Sequence, residues 1–84
     1  MEIVLLDKSY NWKGYHIDQR VYFDTETEIL IDKYVGSKIR KSNIHEYLQE
    51  FYGDLKVMKE MLENVKDKCE FLELILQEII LGML

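Results

Sequence analysis

Residues 42–84 read SNIHEYLQEFYGDLKVMKEMLENVKDKCEFLELILQEIILGML, and the spacing of their apolar side chains decides the fold. Ile44, Leu48, Phe51, Leu55, Met58, Leu62, Val65, Cys69, Leu72, Leu76, Ile79 and Met83 follow one another by alternating steps of four and three residues. On an α-helix this repeat lays the side chains along one seam that drifts slowly around the axis, and a left-handed supercoil straightens it. Asn43, with Glu46 three residues later, has the form of a capping box at the start of the helix. The sequence therefore predicts a long C-terminal amphipathic helix of the heptad-repeat, coiled-coil type. Gly53 is its one weak point, costing ~1 kcal/mol relative to Ala in a helix interior. In heptad terms Gly53 faces away from the seam, so the helix either continues through it, bends there, or ends there with Asp54 capping a second helix. The seam stays in phase across Gly53, which favours continuity or a slight bend.

Working outward, the N-terminal half changes period. Val21-Tyr22-Phe23 and Glu28-Ile29-Leu30-Ile31 flank Asp24-Thr25-Glu26-Thr27, a β-hairpin pattern in which Asp and Thr oxygens can hold turn amides. Tyr15, Ile17, Val21 and Phe23 fall on one face at period two, so the strand before this turn extends back to about Tyr15. Ile3–Leu6 reads as a short first strand, and residues 9–14 as a loop. A competing reading makes Glu26–Val35 a short helix capped at Thr25 and stopped by Gly36. The expected fold class is α+β: a small antiparallel meander or hairpin in residues 1–41, then the helical part in residues 42–84, within one domain spanning 1–84.

The two halves do not match in length. About forty helical residues span roughly 60 Å, whereas strands of about eight residues span roughly 27 Å. Much of the seam thus lacks a partner in the sheet, and either a second chain covers it or the helix folds back near residues 63–67, where neither Gly nor Pro marks a turn. The expectation is a homo-oligomer, with a dimer favoured, whose interface is Ile44, Leu48, Phe51, Leu55, Met58, Leu62, Val65, Cys69, Leu72, Leu76 and Ile79. A parallel in-register pair would bring Asp54 to Lys59 and Lys68 to Glu73, with no like-charge pair, although the pattern does not exclude an antiparallel pair. Phe71–Leu84 adds Leu74, Ile75, Ile80 and Leu81 outside the seam. Such a segment is expected to be covered on most sides, yet it is too short and too charged to span a bilayer.

Charge separates the halves further. Residues 1–41 hold seven Lys/Arg and seven Asp/Glu, whereas residues 42–84 hold four and nine, which accounts for the whole net charge of −5. A negative helix is a poor ligand for phosphate backbones. The single cysteine excludes an internal disulfide, and no Cys/His pattern suits a structural metal. No basic, apolar leader opens the chain, so a reducing, cytoplasmic setting is expected. The chain has no Ala, no Pro and only two Arg, while Ile, Leu, Lys, Glu and Tyr abound, the amino-acid preferences of an A/T-rich genome such as that of a low-GC bacterium, its phage or an archaeal virus.

No Gly-rich phosphate loop, nucleophile elbow or HExxH motif is present. His16 and His45 fall in different elements, and Cys69 falls on the seam among apolar neighbours. No catalytic residue, cofactor site or metal site is predicted. Two surface features remain as candidate partner-binding groups. Tyr10, Trp12, Tyr15 and His16 cluster around Gly14, and large aromatics are frequent anchors of protein interfaces. Lys38, Arg40 and Lys41 form a short basic patch before the helix. Together these features lead to the expectation of a non-catalytic protein-interaction module, a small regulator or inhibitor of phage or mobile-element type that occludes a larger protein. The alternative is a dimeric nucleic-acid-binding regulator using the N-terminal sheet and that patch.

Overall fold

The period-two and period-3.6 segments become a sheet and a helical layer packed on it. The computed structural model describes all 84 residues. Strands β1 (Glu2–Trp12), β2 (Tyr15–Asp24), β3 (Ile29–Asp32) and β4 (Ser37–Arg40) form an antiparallel meander in the order β1-β2-β3-β4. A 3₁₀ turn, Lys41–Asn43, leads into α1 (Ile44–Tyr52), α2 (Leu55–Val65) and α3 (Glu70–Met83). The α+β class and the antiparallel meander agree with the sequence reading. No helix is long and apolar enough to cross a membrane.

The strands differ from expectation at three places. First, β1 runs on to Trp12, and the expected loop at 9–14 shrinks to the two residues Lys13 and Gly14, both at positive φ (49° and 83°). Two left-handed residues give a turn whose twist matches that of the flanking strands, and Gly14 adopts this conformation without steric cost. Second, Ser37–Arg40, where the sequence marked only a basic patch before the helix, is the edge strand β4, with Ile39 as its buried residue. Third, the competing helix over 26–35 does not form, because that stretch contains two turns of one design. In each, an aspartate carboxylate receives the backbone amides two and three residues ahead: Asp24 from Glu26 and Thr27, Asp32 from Tyr34 and Val35. The residue four ahead, Glu28 or Gly36, is left-handed and returns its amide to the aspartate carbonyl at 2.8 Å.

A strict alternation would bury only every second residue of Ile3-Val4-Leu5-Leu6. The register of β1 on β2 shifts between Val4 and Leu6, and this bulge lets Ile3, Leu5 and Leu6 all face the core. From α2, the Asn64 side-chain amide donates to the Leu5 carbonyl at 2.8 Å and ties the bulge to the helical layer. Val21, Phe23, Leu30 and Ile39 continue the same face across the sheet and share one core cluster with the buried residues of all three helices.

The single long helix is the expectation that fails. Gly53 ends α1, and Asp54 caps α2 by accepting the amides of Lys56 and Val57 at 2.8 and 3.4 Å. A Cβ at residue 53 would collide with the Gln49 carbonyl oxygen, so the chain turns where only glycine fits. The second break has no glycine. Asp67 takes the left-handed conformation (φ 65°), and its amide is received by the Glu73 carboxylate. The capping box at Asn43 also fails, because Asn43 is consumed in the 3₁₀ turn and makes no side-chain cap bond. The surplus seam is met by folding back, with α3 packed against both other helices. Each helix sets its own phase: α1 buries Ile44, Leu48 and Tyr52, α2 buries Met58, Met61 and Val65, and α3 buries Leu72, Leu76 and Ile79.

Candidate protein-interaction surface

The β1–β2 hairpin outruns the rest of the molecule. At ~3.4 Å per residue its strands are roughly 35 Å long, against roughly 14 Å for β3 and β4. β3 pairs only with Val21–Asp24 of β2, so residues 7–20 form a two-stranded arm. The helical layer stops at its base, where Lys8 Nζ meets Glu60 Oε2 of α2 at 2.7 Å.

Register fixes which side chains share each face of this arm. Directly opposed residues point the same way, and the pairs Lys8–Gln19, Tyr10–Ile17 and Trp12–Tyr15 continue the face of the fully buried pair Leu6–Val21. The core-facing side of the sheet therefore carries on past the helices as a bare strip. Tyr10, Trp12 and Tyr15 are 41%, 54% and 69% exposed, and Ile17 is half-buried. Lys13 Nζ lies 4.6 Å from the centre of the Trp12 ring, a cation–π contact at the tip.

The opposite face is polar. Ser9 donates to the Asp18 carboxylate, His16 Nε2 lies 3.1 Å from the same group, and Arg20 Nε donates to Asp7 Oδ1 at 3.1 Å. The Ser9 hydroxyl, then the charges of His16 and Arg20, hold the Asp18 carboxyl below the usual carboxylate range, against a smaller opposing effect of burial. The Ser9–Asp18 and Arg20–Asp7 contacts bridge β1 and β2 in a ribbon that would be marginal by itself. One face thus supports the arm and leaves the other free.

Of the four residues expected around Gly14, the structure brings Tyr10, Trp12 and Tyr15 onto one face and sends His16 to the other. The basic patch is divided. Lys38 and Arg40 line an open groove of about 480 Å³ with Asn43, Tyr47 and the carboxylates of Glu46 and Glu50. Lys41 is drawn away to Glu28 at 2.8 Å and over the Phe71 ring at 4.4 Å. Two carboxylates beside two cations give no net positive site for a phosphate backbone.

Of the seam assigned to an oligomer, Ile44, Leu48, Met58, Val65, Leu72, Leu76 and Ile79 are buried in the chain's own core. Leu55, Leu62 and Cys69 are half-buried, and Phe51 lies exposed, its ring centre 4.6 Å from that of Tyr47 and tilted 36° to it. A continuous seam required a continuous helix, and the breaks at Gly53 and Asp67 turn its residues inward.

One polar cluster escaped the sequence reading. Asp32 is the only buried charged residue, and its Oδ2 accepts the hydroxyls of Tyr47 at 2.7 Å and Tyr52 at 2.6 Å, while Oδ1 caps the β3–β4 turn. Burial first, and then the hydrogen bond to Asp32, push both tyrosine hydroxyls well above their ordinary range. With four donors satisfied and no solvent access, the carboxylate joins sheet to α1. The signal available in the sequence was Asp at the end of an apolar strand, in phase with Leu30 rather than out of it. No group of three or more His, Cys, Asp or Glu side chains stands close enough to hold a metal ion.

Compared with known proteins, the chain matches no family model, and no significant match was found among curated proteins or solved structures.

Proposed function

We propose that this chain is a small, non-catalytic protein-binding module of regulator or inhibitor type, whose contact surface is the aromatic face of the β1–β2 arm. The observation that carries the reading is the continuation of the core face beyond the helical layer, with Tyr10, Trp12 and Tyr15 exposed on it. Evenly scattered exposed apolar residues are ordinary, but large aromatics gathered on one face of a projecting ribbon supply the rigid anchors that dominate interface energetics. The arm's polar face keeps its conformation without a partner, which limits the ordering cost of binding. A photoreactive side chain in place of Tyr15 tests this in cells: it should cross-link to protein, and Trp12→Ser should abolish the products. Cross-links unchanged by Trp12→Ser, or formed equally from Lys38 on the far edge of the sheet, would overturn the reading.

A further inference from the structure

A second apolar surface lies exposed on α3. Leu74 and Leu81 are 56% and 71% exposed, seven residues apart and therefore on one side of the helix, while Leu72, Leu76 and Ile79 face the core. These two leucines stand among Glu70, Gln77 and Glu78 on the exposed side of α3 and are unpartnered in the single chain. The charge of α3 is one-sided: Glu70, Glu73 and Glu78 are present and no Lys or Arg. On the aromatic face of the arm the charged side chains are Lys8, held at the base by Glu60, and Lys13 at the tip, while the arm's own carboxylates, Asp7 and Asp18, lie on the opposite face. Each molecule thus carries an aromatic strip edged with cations and a leucine stripe edged with anions.

Resting on the reading of the arm as a protein-docking surface, we infer that its occupant is a second copy of this chain: the arm of each copy lies on α3 of the other. Two-fold exchange of this kind closes the assembly, because both copies use both surfaces. Area supports a dimer. Aromatic side chains bury roughly 150–250 Å² each, so the exposed parts of Tyr10, Trp12 and Tyr15 present roughly 300 Å². With an equal area from α3, and two contacts by symmetry, the dimer buries roughly 1,200 Å², the lower bound for a specific interface. Self-association at this bound is reversible, and it competes with any other protein for the same arm. Neither surface uses the heptad seam, most of which is buried inside each copy.

Light scattering and sedimentation equilibrium on the full chain test the exchange. At about 100 μM the wild type should be a dimer that dissociates on dilution. Trp12→Ser with Tyr15→Ser, and separately Leu74→Asp with Leu81→Asp, should each weaken dimerisation roughly 100-fold or more, as loss of central anchors does. Circular dichroism melts that match the wild-type monomer would show both variants folded. Mixing the two variants restores one arm–α3 contact of the two, so a heterodimer should form where neither variant self-associates. A monomeric wild type overturns the inference while leaving the arm open to other proteins, which the Tyr15 cross-link tests separately. A dimer that survives the α3 substitutions but not the arm substitutions would mean arm–arm pairing and would also overturn it. A dimer that survives the arm substitutions would overturn the inference, with the docking of other proteins on the arm again decided by the Tyr15 cross-link.

Discussion

The two halves of the β1–β2 hairpin share strands, pairing and alternation, yet only one is covered. Ile3, Leu5, Leu6, Val21 and Phe23 lie under the helices, whereas Tyr10, Trp12 and Tyr15 continue the same face into solvent. Local pattern says that one face of a strand is apolar, but the reach of the opposing layer decides whether that face becomes core or surface. The covered half contributes stability, and the bare half is free to carry recognition.

Substitution at matched positions should break this symmetry most strongly. Leu6 and Tyr10 point to the same face four residues apart. Leu6→Ala removes a fully buried side chain and should cost roughly 2–5 kcal/mol in urea unfolding, a large share of the stability of so small a domain. At protein concentrations low enough to exclude association, Tyr10→Ala should change stability by about 0.5 kcal/mol or less. Equal losses would mean that the arm is packed as the base is.

Next in size comes the Asp32 cluster that joins the covered end of the sheet to α1. Asp32→Ala strands two tyrosine hydroxyls and two turn amides and should cost roughly 3 kcal/mol. Its tyrosines also give a pH signature. Tyr47 and Tyr52 have ordinary values of 10.0, and the fold raises both. A raised folded value contributes stability that is complete below pH 10 and is lost as pH rises beyond it, since the unfolded chain then releases protons that the folded chain retains. Melts between pH 9 and about pH 11 should show this loss, and Tyr47→Phe with Tyr52→Phe should remove much of it.

The layers themselves were legible in residues 1–41 and 42–84, because periods of two and of three-to-four are imposed by the backbone. Continuity was not. A 4-3 repeat marks the apolar stripe of any helix, and three short stripes in chance register read like one long seam. Gly53 was visible as a break, but phase argued against it; the collision that makes glycine obligatory there exists only once the chain has turned. At Asp67 the sequence offered no sign, since a left-handed aspartate looks like any helical surface residue. The aromatic group near Gly14 was legible as a candidate, although alternation across a supposed loop hid which members share a face. Asp32 needed partners 15 and 20 residues away, and no local rule brings those together.

Two smaller changes sharpen the contrast between turns. Gly14→Val forces a β-branched side chain into the left-handed tip of the arm and should cost about 1–2 kcal/mol, with faster amide exchange in residues 9–18 and no change in the covered half. At Asp67 the sense reverses. Asp67→Gly relieves a left-handed non-glycine residue and should stabilise the chain by up to about 1 kcal/mol, raising its melting temperature by a few degrees.

The most direct test of the division between covered base and bare arm uses Trp12, the only tryptophan of the chain. Acrylamide quenching of its fluorescence, at about 1 μM to keep copies apart, compares the folded protein with the same protein in urea. The folded chain should be quenched nearly as efficiently as the unfolded one, with red-shifted emission in both. A folded state protected several-fold, with blue-shifted emission at that dilution, would place Trp12 inside the chain's own core and contradict the account.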